Sequence, residues 1–217
     1  MVWLANQLDL LLVLQLGMAL FWILTYILII FRGFRDEAYG MPMVAICANI
    51  SWEFIFAFIH PQNALQQKIT MVWFALDIII LLQYLIYGRK EFKKYLSGMR
   101  FYASFFFTLS VTFLIILTIT QDFNDFDGRY TAFSQNLMMS GLFISLLFWR
   151  GNVKGQSLAI AFCKMFGTLC ASIAFYMYFR TNLITIISVA ILFFDLMYIG
   201  FVYKLSRKNS DSATKFS

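Results

Sequence analysis

Residues 101–120 read Phe-Tyr-Ala-Ser-Phe-Phe-Phe-Thr-Leu-Ser-Val-Thr-Phe-Leu-Ile-Ile-Leu-Thr-Ile-Thr, twenty positions without a charge. A helix rises about 1.5 Å per residue, so this run covers the roughly 30 Å hydrocarbon thickness of a bilayer. Six further apolar runs can be drawn, at 10–31, 41–59, 65–87, 130–149, 156–179 and 183–203. A chain that is 61% hydrophobic and 13% charged over 217 residues has too little polar surface to enclose this much apolar material in water. The bilayer is its solvent. The sequence therefore predicts an all-α, polytopic membrane protein, a compact bundle of seven transmembrane helices.

Details outside residues 101–120 agree. The only two prolines, Pro42 and Pro61, stand at ends of apolar runs, as a nearly all-helical chain requires. The first run follows residues 1–7 with no basic leader and no obvious small-residue cleavage site, which reads as a true span and not a removable signal. Cys47, Cys163 and Cys170 are odd in number and lie inside apolar runs, so they read as small buried hydrophobes. No repeat or second domain is visible: residues 1–205 form one transmembrane domain, and 206–217 a polar tail expected to be disordered. Thirteen of the 17 Lys and Arg residues follow spans one, three, five and seven, against Lys68, Arg129 and Arg180 on the other side and Lys164 within span six. That asymmetry predicts an outside N-terminus and a cytoplasmic C-terminus. The net charge of +6 is thus an orientation signal and a contact with anionic lipid heads, not a nucleic-acid surface.

A titratable side chain at membrane depth costs a few kcal/mol on insertion scales and is a functional candidate for that reason. This chain has four, Glu53, Asp77, Lys164 and Asp195. By helical rise Asp77 and Asp195 come out near mid-membrane, with Glu53 one to two turns toward the outer leaflet, so three carboxyls can share one cavity. Helical spacing puts Asn49, Glu53, Phe56 and His60 on one face of span two. It aligns Thr70, Trp73, Asp77 and Tyr84 on span three, and Ser188, Ile191, Asp195 and Tyr198 on span seven. Each acid has an aromatic neighbour within about a turn. Dry aromatic surroundings favour the uncharged form of a carboxyl, and a protonated carboxyl is a proton donor. The plainer readings are a helix-to-helix hydrogen bond for Asp77, snorkelling of Lys164 to the cytoplasmic surface, an interfacial cap for His60 and a solvated turn for Asp122, Asp125 and Asp127. Aromatic residues make up 19% of the chain, 26 of them Phe, beyond what an interfacial belt needs. Where they line a cavity with the acids, their ring faces stabilise a carbocation without offering it a nucleophile.

The segments Tyr39-Gly-Met-Pro-Met, Cys47-Ala-Asn-Ile-Ser-Trp-Glu-Phe, Trp149-Arg-Gly-Asn-Val-Lys-Gly-Gln-Ser157, Lys164-Met-Phe-Gly167 and Phe194-Asp-Leu-Met-Tyr198 carry a resemblance over nearly the whole chain. With them the sequence resembles the integral-membrane terpene cyclases of fungal meroterpenoid and indole-diterpene biosynthesis, of the paxilline and pyripyropene type, and its brevity suits a bacterial member. The resemblance implies an isomerase that protonates a terminal epoxide or alkene of a prenylated, farnesyl-type substrate and guides cationic ring closure. It implies no metal and no other cofactor. It makes Glu53 and Asp195 the catalytic acid pair, either of them the general acid and the other its hydrogen-bonded partner. Beside that pair, our reading of the faces makes Asn49 and Asp77 supporting groups behind the acids, and Trp52, Trp73 and Tyr198 the candidates that shape the substrate cavity. Lys164 stands where fungal members carry Arg, and Asp77 where one carries Asn. The implied partners are the prenylated small molecule and the lipid bilayer, and the expected location is a bacterial inner membrane or the endoplasmic reticulum. Two other classes compete. A small seven-helix carrier of an apolar or weakly polar metabolite should show repeats and Pro-broken helices near mid-membrane, which are not visible. A retinal-type sensor needs a mid-membrane Lys in the last helix, which is absent.

Overall fold

The computed structural model describes residues 2–214, with side chains over 9–208. The seven apolar runs form seven helices in the expected order. These are α1 (Val2–Asp36), α2 (Met43–Phe54), α3 (Ala64–Gln83), α4 (Gly98–Asp122), α5 (Arg129–Arg150), α6 (Leu158–Tyr178) and α7 (Asn182–Thr214). Six are long and apolar enough to cross a membrane; α2, with 12 residues continued by a five-residue π-turn over Ile55–Ile59, sits at the short end of the spanning range. A second π-turn, Tyr84–Gly88, extends α3. The backbone of the polar tail is helical as far as Thr214, and residues 215–217 lie outside the described ones.

Short polar caps begin the helices. Asn63 accepts the Gln66 N–H at 3.0 Å for α3, Ser157 the Ile160 N–H at 3.2 Å for α6, and Thr181 the Ile184 N–H at 3.2 Å for α7. The start of α5 is held by Asp125, whose carboxylate accepts from the Tyr130 and Thr131 N–H groups and the Thr131 hydroxyl. Asp125 is therefore buried, and the solvated-turn reading is corrected at this position: three orphan donors at a helix start outweigh its hydration.

Helices α1, α3, α2, α5, α7 and α6 pack in that cyclic order, and α4 lies outside the ring against α2. Close approach of α1 and α6 relies on Gly167, where a Cβ would meet the Trp22 ring at 2.8 Å. On the opposite end of the bundle Arg150 ties four segments together. Its guanidinium makes two bonds to the Glu91 carboxylate at 2.9 and 2.8 Å, donates to the carbonyls of Tyr39 and Lys154 and lies 4.0 Å over the Tyr39 ring. Gly155 adopts φ +74° there, and a Cβ would sit 2.7 Å from the Tyr39 carbonyl oxygen. The outward faces are apolar: Phe107, Ile186, Val189 and Phe193 are all well exposed, as lipid contact requires.

Candidate active site

A cavity of about 400 Å³ opens inside the ring, lined by α1, α2, α3, α5 and α6. Its volume is within the range of small-molecule pockets. Its mouth carries Gln15, Gln62, Asn63, Gln66, Asp127 and Arg129. Met18, Trp22, Trp52, Phe133, Met139 and Phe175 form apolar walls, and Tyr26, Asn49, Glu53 and Trp73 line the far part. Along α1, eleven residues separate Gln15 from Tyr26, about 16 Å of helix. The larger open groove between α2, α3 and α4, about 560 Å³, is lined by Ile50, Phe54, Phe74 and Phe113 with only Ser51 and Ser110 as polar groups. It offers no acid.

The acid end is a connected polar cluster. Tyr26 donates its hydroxyl to Glu53 Oε1 at 2.9 Å, and Asn49 Nδ2 donates to Asp77 Oδ2 at 2.7 Å. Asn49 also approaches the Tyr26 oxygen and, at 3.4 Å, Glu53 Oε1, while its own Oδ1 accepts from Gln135 at 3.3 Å. Glu53 and Asp77 are 1% and 0% exposed, and the Asn49 amide reaches a carboxyl oxygen of each, so the two acids stand on either side of one side chain. Glu53 Oε2 and Asp77 Oδ1 have no hydrogen-bond partner. The expected face of α2 forms because Asn49 and Glu53 are one turn apart, and the first π-turn begins two residues after Glu53. Trp52 donates its indole N–H to the Gly128 carbonyl at 3.1 Å and packs against Phe56, fixing α2 to the start of α5.

Asp195 lies elsewhere. Its Oδ1 accepts from Lys164 Nζ at 2.7 Å and from the Ser140 hydroxyl at 2.9 Å, and Lys164 also donates to Ser140 at 2.7 Å. Both side chains are 1% exposed. The snorkelling reading of Lys164 is corrected: its ammonium turns inward, because a buried carboxylate one helix away offers a closer partner than the membrane surface. Helix α7 contributes no lining residue, so Asp195 and Tyr198 are outside the cavity wall; Tyr198 packs edge-on against Phe143 at 5.5 Å. Of the sequence candidates, Asn49, Trp52, Glu53 and Trp73 line the cavity and Asp77 backs them. Sequence reading missed Tyr26, Trp22 and Gln135. The available signal was a Trp22 and Tyr26 pair one turn apart deep in span one, away from the interface where such rings usually sit. His60 packs edge-on against Phe126 at the end of α2. Among the described residues no group of three or more His, Cys, Asp or Glu is placed to hold a metal ion.

A ring of apolar helices around an acid-ended cavity defines a polytopic membrane protein with a largely apolar internal cavity. The chain belongs to the Pyr4-like transmembrane terpene cyclases, whose family model matches residues 5–209. It is 32% identical over 165 residues to the Pyr4-family terpene cyclase mfmH of Annulohypoxylon moriforme, covering 71% of this chain and 65% of that protein. It is 27% identical over 162 residues to the terpene cyclase penB of Penicillium crustosum, with the same coverage. The terpene cyclase macJ of Penicillium terrestre is 28% identical over 160 residues, 71% of this chain and 62% of the relative. The chain thus matches a little under two thirds of the length of these relatives. No solved structure matches it.

Proposed function

We propose that the chain is a protonation-initiated terpene cyclase, taking a prenylated substrate from the bilayer into the cavity and isomerising it to a ring-closed product. The observation that carries the reading is the Glu53–Asp77 carboxyl pair, bridged by Asn49 and braced by Tyr26, at the end of an aromatic cavity. Glu53 is the general acid. Its O–H protonates a terminal epoxide oxygen, the C–O bond at the more substituted carbon breaks, and a tertiary cation forms beside a new hydroxyl. With a terminal alkene the proton goes to carbon instead. The next double bond attacks the cation, forming a C–C bond and moving the charge along the chain. The last cation loses a proton to water at the polar mouth, which restores an alkene and leaves mass unchanged. The Glu53–Asp77 pair regains its proton from water, with Asp77 relaying it to Glu53, and Asn49 fixes both acids. The indole faces of Trp22, Trp52 and Trp73 stabilise the passing charge.

Size supports a farnesyl-type chain. An extended carbon chain advances about 1.2 Å per bond, so its eleven bonds span about 13 Å. A chain of that length can bring its terminal unit to Glu53 while a polar acceptor ring rests near Gln15 and Gln66. In the orientation expected from the basic residues, this mouth faces away from the cytoplasm. The test is turnover of a farnesylated acceptor and its epoxide by membranes carrying the chain. An isomer of unchanged mass that is absent with Glu53→Gln supports the reading; an isomer formed equally by that variant removes Glu53 from it.

A further inference from the structure

Resting on this cyclase reading, the remaining buried charges acquire a role. Lys164 is a full cation inside the bundle, 0% exposed, with its Nζ 6.0 Å from the centre of the Trp22 ring. Trp22 is itself a wall of the cavity, and Gly167, one turn after Lys164, lets the indole seat against α6. One indole therefore separates a fixed ammonium from the space in which a carbocation forms. Two like charges about 8 Å apart at an effective dielectric of about 20 repel enough to change an equilibrium about thirtyfold. Asp195 removes that penalty at close range: its carboxylate contacts the ammonium at 2.7 Å, and Ser140 bonds to both.

We propose that Asp195 serves the site as the counter-ion of Lys164, a positioning residue that cancels a buried ammonium behind Trp22 and keeps the cavity hospitable to a cation. Two features of the geometry support this: Asp195 Oδ1 is occupied by two donors, one of them an ammonium, and α7 supplies no part of the cavity wall. Glu53, by contrast, lines the cavity and meets only a hydroxyl and an amide. The consequence is specific to charge. Loss of Asp195 alone harms the binding of cations while sparing uncharged ligands of the same shape, and simultaneous loss of Lys164 repairs it.

The experiment compares a prenyl dimethylamine, protonated at neutral pH, with its uncharged hydrocarbon isostere. Binding is read by quenching of the cavity tryptophans in the detergent-solubilised full chain. The ratio of the two affinities is expected to fall about thirtyfold in Asp195→Asn and to return to the wild-type value in Lys164→Met/Asp195→Asn. A ratio unchanged in the single variant, or one that stays low in the double variant, overturns the proposal. If Asp195→Asn does not fold, Lys164→Met supplies the single-charge test: it leaves the carboxylate without its ammonium, the ratio is expected to move in favour of the cation, and an unchanged ratio overturns the proposal. Being a binding measurement, the ratio is independent of turnover. A wild-type protein that cyclises no substrate strikes the cyclase reading and leaves the ratio to judge the counter-ion.

Discussion

Replacing Asn49 by Leu is the perturbation most informative about the acid pair. Asn49 donates to Asp77 at 2.7 Å and to Tyr26, and accepts from Gln135 at 3.3 Å. Leucine has the same branched shape and fills the space, so the change removes the hydrogen bonds without opening a void. Asp77 then has no donor for either oxygen, since its Oδ1 is already unpartnered. Leaving a buried acceptor unsatisfied costs about 1–3 kcal/mol, and the lost Gln135 bond about 1 kcal/mol more. The expected destabilisation is therefore about 3 kcal/mol, measured by reversible unfolding in mixed micelles. Turnover of the folded protein should also fall, by about a hundredfold, because an acid displaced from its productive geometry loses most of its general-acid advantage. A folded Asn49→Leu protein with wild-type turnover would refute the claim that Asn49 fixes the acids.

Other consequences follow from residues outside the cavity. Arg150→Met should lower stability by about 3 kcal/mol, since it frees a Glu91 carboxylate and two carbonyls from a nearly buried guanidinium; the check is unfolding, with product identity unchanged. Asp125→Ala removes the cap of α5 and should cost about 1–2 kcal/mol, read the same way. Burial pushes the Tyr39 phenol from 10.0 up to about 12. A hydroxyl whose folded value is raised contributes stability that is present below pH 10 and lost as pH rises toward 12. In Tyr39→Phe the alkaline loss measured by unfolding against pH should be shallower by this residue's share.

The helices were legible because hydrophobic length is a property of the sequence alone, and each run became one helix. The face of α2 was legible for a similar reason: Asn49 and Glu53 are one turn apart, and so are Trp73 and Asp77 on α3. The pairing of those two faces needed only that both acids avoid lipid. What the sequence could not convey was which helices adjoin. Lys164 and Asp195 are 31 residues apart, and only the contact of α6 with α7 brings the ammonium to the carboxylate instead of to the membrane surface. Beyond its pairing with Trp22, nothing in the sequence marked Tyr26 off from the other aromatics of span one; only the fold brings its hydroxyl to Glu53 on α2 across the interior of the ring. Asp125 looked solvated because its spacing to Thr131 reads as a loop, whereas the structure turns it back to cap α5. Asp195 and Tyr198 lie one turn apart on α7, but α7 contributes nothing to the cavity wall, and Asp195 is taken up by Ser140 of α5 and Lys164 of α6.

The central claim is that Glu53 delivers the proton that starts ring closure. Membranes carrying the wild-type chain or Glu53→Gln are incubated with a farnesylated hydroxy-heterocycle or its terminal epoxide, and products are separated and weighed by mass spectrometry. The account predicts a wild-type isomer of unchanged mass and altered retention that falls below detection in a folded Glu53→Gln protein. An isomer formed at the wild-type rate by Glu53→Gln would contradict it.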